Sequence, residues 1–469
     1  LRIGEPEAGL ALSAAKKLRI QPEELLEFRP VAKSLDARGR GRGREPRFVC
    51  SVEFALGESG AKVHTPALRR ALRSGKLKEA APIVPLEVSG VHSSLKEGAS
   101  KRAVVIGAGP AGLFAALTIA RSGLPTTLID RGSAIEKRSS ELVRFHRSRV
   151  PNPESNLLYG EGGAGTYSDG KIYTRVEHPL ETTLLKELVR CGAPPEILYD
   201  SLAHIGTDKL HRILPKFRRG LEAEGVTFAW NVRADGLVLR DGVGSTRRIA
   251  AVETSAGELP CDVCFIAPGH SARDTWRWLS EAGVQLEAKP FQIGVRVEHP
   301  QELIDRGRYG ESEALHSLGA ASYQLRAKAT QNQPPAHTFC MCPGGKIVAS
   351  VNDAGLLCTN GMSNSTHSSR WANAAVVTTV GPETFGHGPF DGVEFQRELE
   401  ERFFLAGGEN YDAPAQRVPD FLAGATSSDT LRSSYTFGLK PERIDRLLPS
   451  DLRSALAHGL AAFDVALPG

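Results

Sequence analysis

The chain has 469 residues, of which 41% are hydrophobic and 24% charged, a globular composition with room for about three domains of ~150 residues that excludes disordered and fibrous classes. Lys and Arg number 58 against 54 Asp and Glu, a formal net charge of +4, and no run approaches the roughly 18 uninterrupted apolar residues of a membrane span, so no membrane partner is expected. Glycine is the outlier at 48 residues, about 10% against a usual ~7%.

Residues 1–100 hold 18 basic and 12 acidic side chains, a balance of +6, and the remaining residues 40 and 42, or −2. The positive excess marks a separate N-terminal module. Seven cysteines are too few, and odd in number, for a disulfide framework, which points to a reducing compartment, the cytoplasm or the plastid stroma. The chain opens at Leu1 and its first methionine is Met341, so a lost or removed start is expected.

In chain order, residues 11–18 are helix-forming, and 26–34 and 48–56 read as two strands around the loop Asp36-Ala-Arg-Gly-Arg-Gly-Arg-Gly-Arg44. A helix near 66–77 and a short strand at 82–88 complete a small α+β domain, 1–90, and a polar linker over 90–101 follows. Residues 103–106 are apolar without interruption, as a buried parallel strand requires. A turn at 107–112, a helix to 121, its stop at Gly123 and a strand at 125–129 make a βαβ unit. Leu210, Ile213, Leu214, Phe217 and Leu221 fall at helical spacing. Strands at 226–232, 236–239 and 248–254 read as a hairpin-rich insertion, and 261–267 as another buried strand. The dinucleotide domain thus spans 101–289. From about 290 shorter strands and loops indicate a substrate lobe to 430, with 431–469 returning to the first domain.

The first glycine cluster, Gly107-Ala-Gly-Pro-Ala-Gly112, stands between strand and helix. Gly107 permits the tight turn, Gly109 lets backbone approach a pyrophosphate, and Gly112 allows close helix packing; Pro110 and Ala111 complete the loop. Phosphates then meet the free N–H groups and positive end of the helix. Asp130, 23 positions past Gly107, suits the adenosine ribose hydroxyls and repels a 2′-phosphate. The second cluster, Gly160-Glu-Gly-Gly-Ala-Gly-Thr-Tyr-Ser-Asp-Gly170-Lys171, brings main-chain amides near something flat and polar, for which an isoalloxazine edge fits; a flexible linker is the alternative. Within it Gly160, Gly162, Gly163, Ala164, Gly165, Thr166, Asp169, Gly170 and Lys171 are the cofactor candidates, joined by Arg131 and Val232. Ala267, Gly269 and His270 follow the returning strand, where Pro268 departs from the usual Ala-Thr-Gly.

These segments, with Gly269-His-Ser-Ala-Arg-Asp274, Phe339-Cys-Met-Cys-Pro-Gly-Gly345, Thr359-Asn-Gly-Met-Ser363, Asn410-Tyr-Asp-Ala-Pro-Ala-Gln416 and Lys33-Ser-Leu-Asp-Ala-Arg38, occur in family order. Together they resemble the uncharacterised FAD-dependent oxidoreductases of bacteria and plastids that carry a small N-terminal ferredoxin-like domain. The resemblance implies an α/β fold: a Rossmann-type, glutathione-reductase-like FAD domain interrupted by an α+β substrate lobe, with FAD as cofactor. It names no substrate. Members continue into a Gly-Glu-Gly-Ala-Gly-type segment under the flavin where this sequence stops at Leu467-Pro-Gly469, so an incomplete flavin half is expected.

His270, Arg273, Arg296 and His299 are candidates to grip a substrate anion or donate a proton, His270 as general acid nearest the ring. Cys340 and Cys342, two apart on a strand, share a side, and Cys340 is the candidate redox thiol, with structural burial as the alternative. His270, Arg273 and Cys340 therefore stand as catalytic candidates. Cys261 and Cys264, three apart in a strand, point to opposite faces and read as packing. The basic face Lys209, Arg212, Lys216, Arg218 and Arg219 reads as solvated. The Arg38–Arg44 alternation reads as a hairpin loop rather than a nucleic-acid tract. No metal site is expected. The function is hydride transfer through FAD on a small-molecule substrate, with NADH or NADPH as an open choice of reductant, since only one G-x-G-x-x-G exists. The alternatives are a flavin-dependent RNA-modifying or RNA-binding protein and an inactive nucleotide-binding fragment.

Overall fold

In a computed structural model of the chain, residues 1–36, 46–57, 66–80, 82–84, 101–172, 178–242, 247–331, 333–428 and 430–467 are described. They divide between two units, one of Leu1–Glu87, Lys171–Ile205 and Glu311–Gly319, the other of Val88–Gly170, Gly206–Gly310 and Ala320–Gly469. The Arg38–Arg44 tract and the linker over 90–100 lie outside the described residues. No helix among the described residues is long and apolar enough to cross a membrane.

In the first unit the helix Gly9–Leu18 buries Leu10, Ala15 and Leu18 and closes on Arg19 in the left-handed region. Strands β1 (Leu25–Asp36) and β2 (Arg47–Leu56) pair antiparallel; they are the strands of this unit's named sheet among the described residues. Residues 82–84 carry no strand. The segment 171–205, expected in the dinucleotide domain, belongs here instead. The reason is an unpaired edge: Lys33 N–H donates to the Tyr199 carbonyl at 2.7 Å and Ser201 N–H to the Lys33 carbonyl at 3.0 Å.

The second unit begins with β3 (Ala103–Ile106), β4 (Thr126–Asp130), β5 (Val226–Trp230), β6 (Ala234–Asp241), β7 (Arg247–Thr254), β8 (Gly257–Pro260) and β9 (Val263–Ile266). β5, β4, β3 and β9 form a parallel sheet in that order. Its centre is fully buried, Val104, Val105, Leu128 and Ile129 being at most 1% exposed, which is why those strands read as unbroken apolar runs. The hairpin insertion is smaller than its sequence suggested: β5 joins the parallel sheet, and β6, β7 and β8 alone are antiparallel. Cys261 precedes β9, so strand alternation does not reach it. It packs into the same apolar cluster as Cys264, which corrects the opposite-face expectation.

Strands β10 (Phe291–Pro300), β11 (Arg326–Ala327), β12 (Ala336–Cys342), β13 (Lys346–Ala349), β14 (Thr359–Met362) and β15 (Trp371–Val380) follow. β10, β15, β12 and β11 make an antiparallel sheet in that order, and β13 and β14 a hairpin. One sheet face, with Ile293, Val295, Val297 and Val376, packs on Leu452, Leu456 and Phe463 of the helix Ser450–Ala466. The residues past 431, expected to return to the dinucleotide domain, therefore end under this second sheet.

Candidate functional site

Gly107 leaves β3 with φ of 104°, and a Cβ there would lie 2.2 Å from the Ala267 carbonyl oxygen. On Gly112 a Cβ would lie 1.8 Å from the Gly107 carbonyl oxygen, so only glycine lets the helix Pro110–Arg121 start hard against the strand end. Gly109 is different. It is extended, with φ −73° and ψ 178°, and the nearest atom to its Cβ position, the Gly163 Cα, is 3.9 Å away. The helix's first N–H groups have no intrahelical partner, and Pro110 occupies the position where a missing N–H costs nothing. Ala111 lies in that first turn. Unpaired donors and the positive helix end thus border an open glycine, the arrangement that receives a pyrophosphate.

The second loop folds over the first. Gly162 N–H donates to the Ala108 carbonyl at 2.8 Å, and a Cβ on Gly163 would lie 3.1 Å from the Gly109 Cα. Sequence reading missed what holds this loop: Arg138, 0% exposed. Its Nε donates to the Asn156 carbonyl at 2.8 Å, Nη1 to Glu161 at 2.7 Å and Nη2 to Leu157 at 2.9 Å. Its guanidinium also lies 4.9 Å from the Tyr167 ring centroid. Burial pushes Arg138 down to about 10, so it stays charged at neutral pH. Gly160, with φ of 106°, admits it: a Cβ would sit 2.7 Å from Arg138 Cδ. Glu161 is also 0% exposed; burial raises its carboxyl, which takes Arg218 at 2.9 Å. Thr166 is buried, its hydroxyl on the Glu161 carbonyl, while Ala164 and Gly165 remain exposed.

Three of the predicted loop residues are engaged within the protein. Asp169 is 1% exposed and accepts from the Ser363 hydroxyl, so it anchors the loop. Gly170 packs on Gly206, and Lys171 belongs to the other unit, bridged to His204.

Asp130 is 8% exposed. Its Oδ2 accepts from Ala108 N–H at 2.7 Å, and its Oδ1 from Gly132 at 2.8 Å and Gly160 at 3.0 Å. It ties both glycine loops to the end of β4. An ionised carboxylate has about four acceptor sites, so Oδ2 keeps one for a hydroxyl. Asp130, Gly107, Arg131, Val232 and Pro268 line one pocket. Val232 N–H donates to the Asp130 carbonyl at 2.9 Å, and Ala267 N–H to Ile106 at 2.8 Å. Arg131 is 4.6 Å from the Tyr159 ring centroid and pairs with Glu154 at 2.7 Å and Asp274 at 2.9 Å. Burial opposes its charge, but those hydrogen bonds outweigh burial and raise its pKa.

The catalytic candidates fare unequally. His270 is exposed on the turn after β9, where Gly269 has φ of 82°. Arg273 is not free to grip an anion with its whole fork: Nη2 donates to both Glu400 oxygens at 3.0 Å, while Nη1 is buried without a partner. Cys340 sits in a bulge of β12 with φ of 44°, a strained backbone for a non-glycine. The extra residue shifts the alternation, so Cys342, opposite Asn373, is the thiol on that sheet face. The expectation that the two cysteines share a side is overturned by the bulge. His299 is engaged too, its Nε2 at 2.9 Å from the Tyr323 hydroxyl, and burial lowers its pKa. Arg296 Nη1 donates to Asn373 Oδ1, and Nη2 to Asn360 Oδ1 at 3.1 Å. Cys358, unremarked in the sequence, is solvent-exposed. Desolvation by the surrounding protein, and to a lesser extent Glu400, pushes its thiol up to about 11, with Arg296 and Arg273 acting against the rise.

Two family descriptions match this chain: "FAD-dependent protein, C-terminal domain-like" over residues 290–469 and "FAD binding domain" over residues 102–140. An uncharacterised protein of Clostridium beijerinckii is 38% identical over 386 residues, 82% of this chain and 71% of its own. The chain belongs to this FAD-dependent protein family. FAD is the cofactor, and the residues present fit it: an open glycine at a helix start, and a carboxylate with acceptor capacity in the adjoining pocket. Among solved structures, THI4 of Thermovibrio ammonificans is similar at 15% identity and TM-score 0.28, over 40% of this chain and 64% of that one, under two thirds of its length. Thioredoxin reductase of Lactococcus lactis is similar at 21% identity and TM-score 0.19, over 36% of this chain and 35% of that one.

Proposed function

We propose that this FAD-dependent protein is an oxidoreductase that passes a hydride through its flavin between a nicotinamide donor and a small-molecule substrate. The observation that carries the reading is the pair of interlocked glycine loops, with Asp130 bonded to both, at the C-terminal ends of β3 and β4. Bound FAD supplies two-electron chemistry at its ring. The chain's own residues bind and orient. The N–H groups of the first helical turn and Gly109 would hold the pyrophosphate and Asp130 the ribose, while Arg138 braces the second glycine loop beside them. Residues 290–469 serve as the substrate lobe, and the first unit as a small α+β appendage. Arg273 and Glu400 form a largely buried pair, 14% and 19% exposed, that engages both groups with each other rather than leaving them to react.

The test is anaerobic single-turnover mixing of the FAD-loaded protein with NADH and NADPH in turn. Rapid loss of the flavin's visible absorption with one of them supports the reading. A fully oxidised flavin after long incubation with both sinks the nicotinamide-linked version.

A further inference from the structure

We propose that the face of the β10–β15–β12 sheet beside the β13–β14 hairpin, where the row Arg296, Ala375 and Phe339 stays partly accessible, is the substrate-recognition floor and that it selects a carboxylate carried on a planar apolar body; this rests on the oxidoreductase reading above. The register places Arg296 opposite Ala375 and Ala375 opposite Phe339, and in the next row Glu298 opposite Asn373 and Asn373 opposite Cys342. Directly paired residues share a face. The other face is filled by the apolar cluster on Ser450–Ala466. This one carries charge, amide, thiol and a phenylalanine left 59% exposed.

The row Arg296, Ala375, Phe339 has its smallest side chain in the middle, which makes a trough. Strands lie ~4.8 Å apart, so its two walls stand roughly 10 Å apart, the span of an aromatic ring plus a carboxylate. Where the trough meets the β13–β14 hairpin two donors are buried without partners, Arg296 Nε at its β10 wall and Asn373 Nδ2 one row on, on central β15. They belong to one rigid cluster, since Arg296 Nη1 donates to Asn373 Oδ1 and Nη2 to Asn360. Asn373 is 0% exposed. Buried donors left unmade are costly and mark a group that has an occasional acceptor. Both positions only donate, so they select an acceptor with two oxygens. Glu298, the acid on this face, is held by the Ser434 N–H and hydroxyl and does not pair with Arg296. At the opposite wall Phe339 offers an exposed ring for a planar body.

Benzoate is the probe, with benzamide as its neutral isostere, titrated into FAD-loaded protein by calorimetry and by the flavin difference spectrum. Benzoate is expected to bind at least about tenfold more tightly than benzamide. Ala375→Leu, which fills the trough, and Arg296→Lys, which keeps the charge but not the fork, are each expected to weaken benzoate about tenfold at unchanged FAD content. Arg296→Gln adds a third variant where it folds. No benzoate heat at millimolar concentration, equal binding of benzamide, or native affinity in Ala375→Leu and Arg296→Lys overturns the proposal while leaving the flavin reading intact. Protein that takes up no FAD instead defeats the oxidoreductase reading. Calorimetry on that protein still decides the floor, where benzoate binding supports it and none overturns it.

Discussion

Arg138→Met removes the brace under the second glycine loop without changing volume much. Three main-chain carbonyls, of Asn156, Leu157 and Glu161, each lose their guanidinium donor. Each buried acceptor left unmade costs ~1–3 kcal/mol. Relief of the buried charge, several kcal/mol, offsets part of that sum. A net loss of a few kcal/mol remains, a sizeable share of a typical ~5–15 kcal/mol stability. The same loop hydrogen-bonds the first through Gly162 and Ala108, so FAD affinity should fall with it. Urea titration of the FAD-loaded protein, followed by tryptophan and flavin fluorescence together, reads both. Arg138→Lys, with fewer and less directed donors, should fall between. An Arg138→Met protein within about 0.5 kcal/mol of native, with native FAD content, would refute the claim that this arginine shapes the site.

Gly112→Ala should destabilise the protein even without FAD, because its Cβ meets the Gly107 carbonyl oxygen at 1.8 Å. Gly109→Ala should leave the melting temperature of the FAD-free protein nearly unchanged and cut FAD affinity about tenfold or more; equal effects of the two in both assays would contradict the assignment. Asp445 is held down to about 2, chiefly by hydrogen bonds from Arg443. Its folded value lies below its unfolded ~3.9, so its contribution is present above about pH 4 and lost as pH falls towards 2. Asp445→Asn should flatten that acid limb in urea midpoints measured between those pH values. The Cys358 thiol, raised to about 11, should alkylate with iodoacetamide at a rate still climbing at pH 10. A plateau near the free-thiol value of ~8.5 would contradict the desolvated thiol.

Much of the dinucleotide half was legible from particular residues. Ala103–Ile106 is apolar in every position because both its faces are covered, and Gly107, Gly109 and Gly112 each answer a different steric demand. The helix Thr207–Ala223 showed in its spacing, and the inner turn of that pattern, Ile213, Leu214, Phe217 and Leu221, is buried. Arg138 was not legible. It lies in a helix among exposed polar residues, and its partners are carbonyls, which every residue possesses. The Cys340 bulge escaped as well, since one extra residue in a strand leaves no compositional trace while it reassigns every side chain beyond it. Arg273 looked like a free cation because Glu400 is 127 positions away.

Local chemistry by itself determined the βαβ unit, the cofactor's pyrophosphate loop and the carboxylate at the strand tip, because backbone sterics and helix-end donors act over a few residues. Long-range pairing decided the rest. It determined which acid takes which arginine, which cysteine shares a sheet face with Asn373, that residues 171–205 join the first unit, and that the final helix covers the second sheet. Those outcomes depend on which edges and apolar faces are left to be covered once the local elements have formed, and that is a property of the assembled chain.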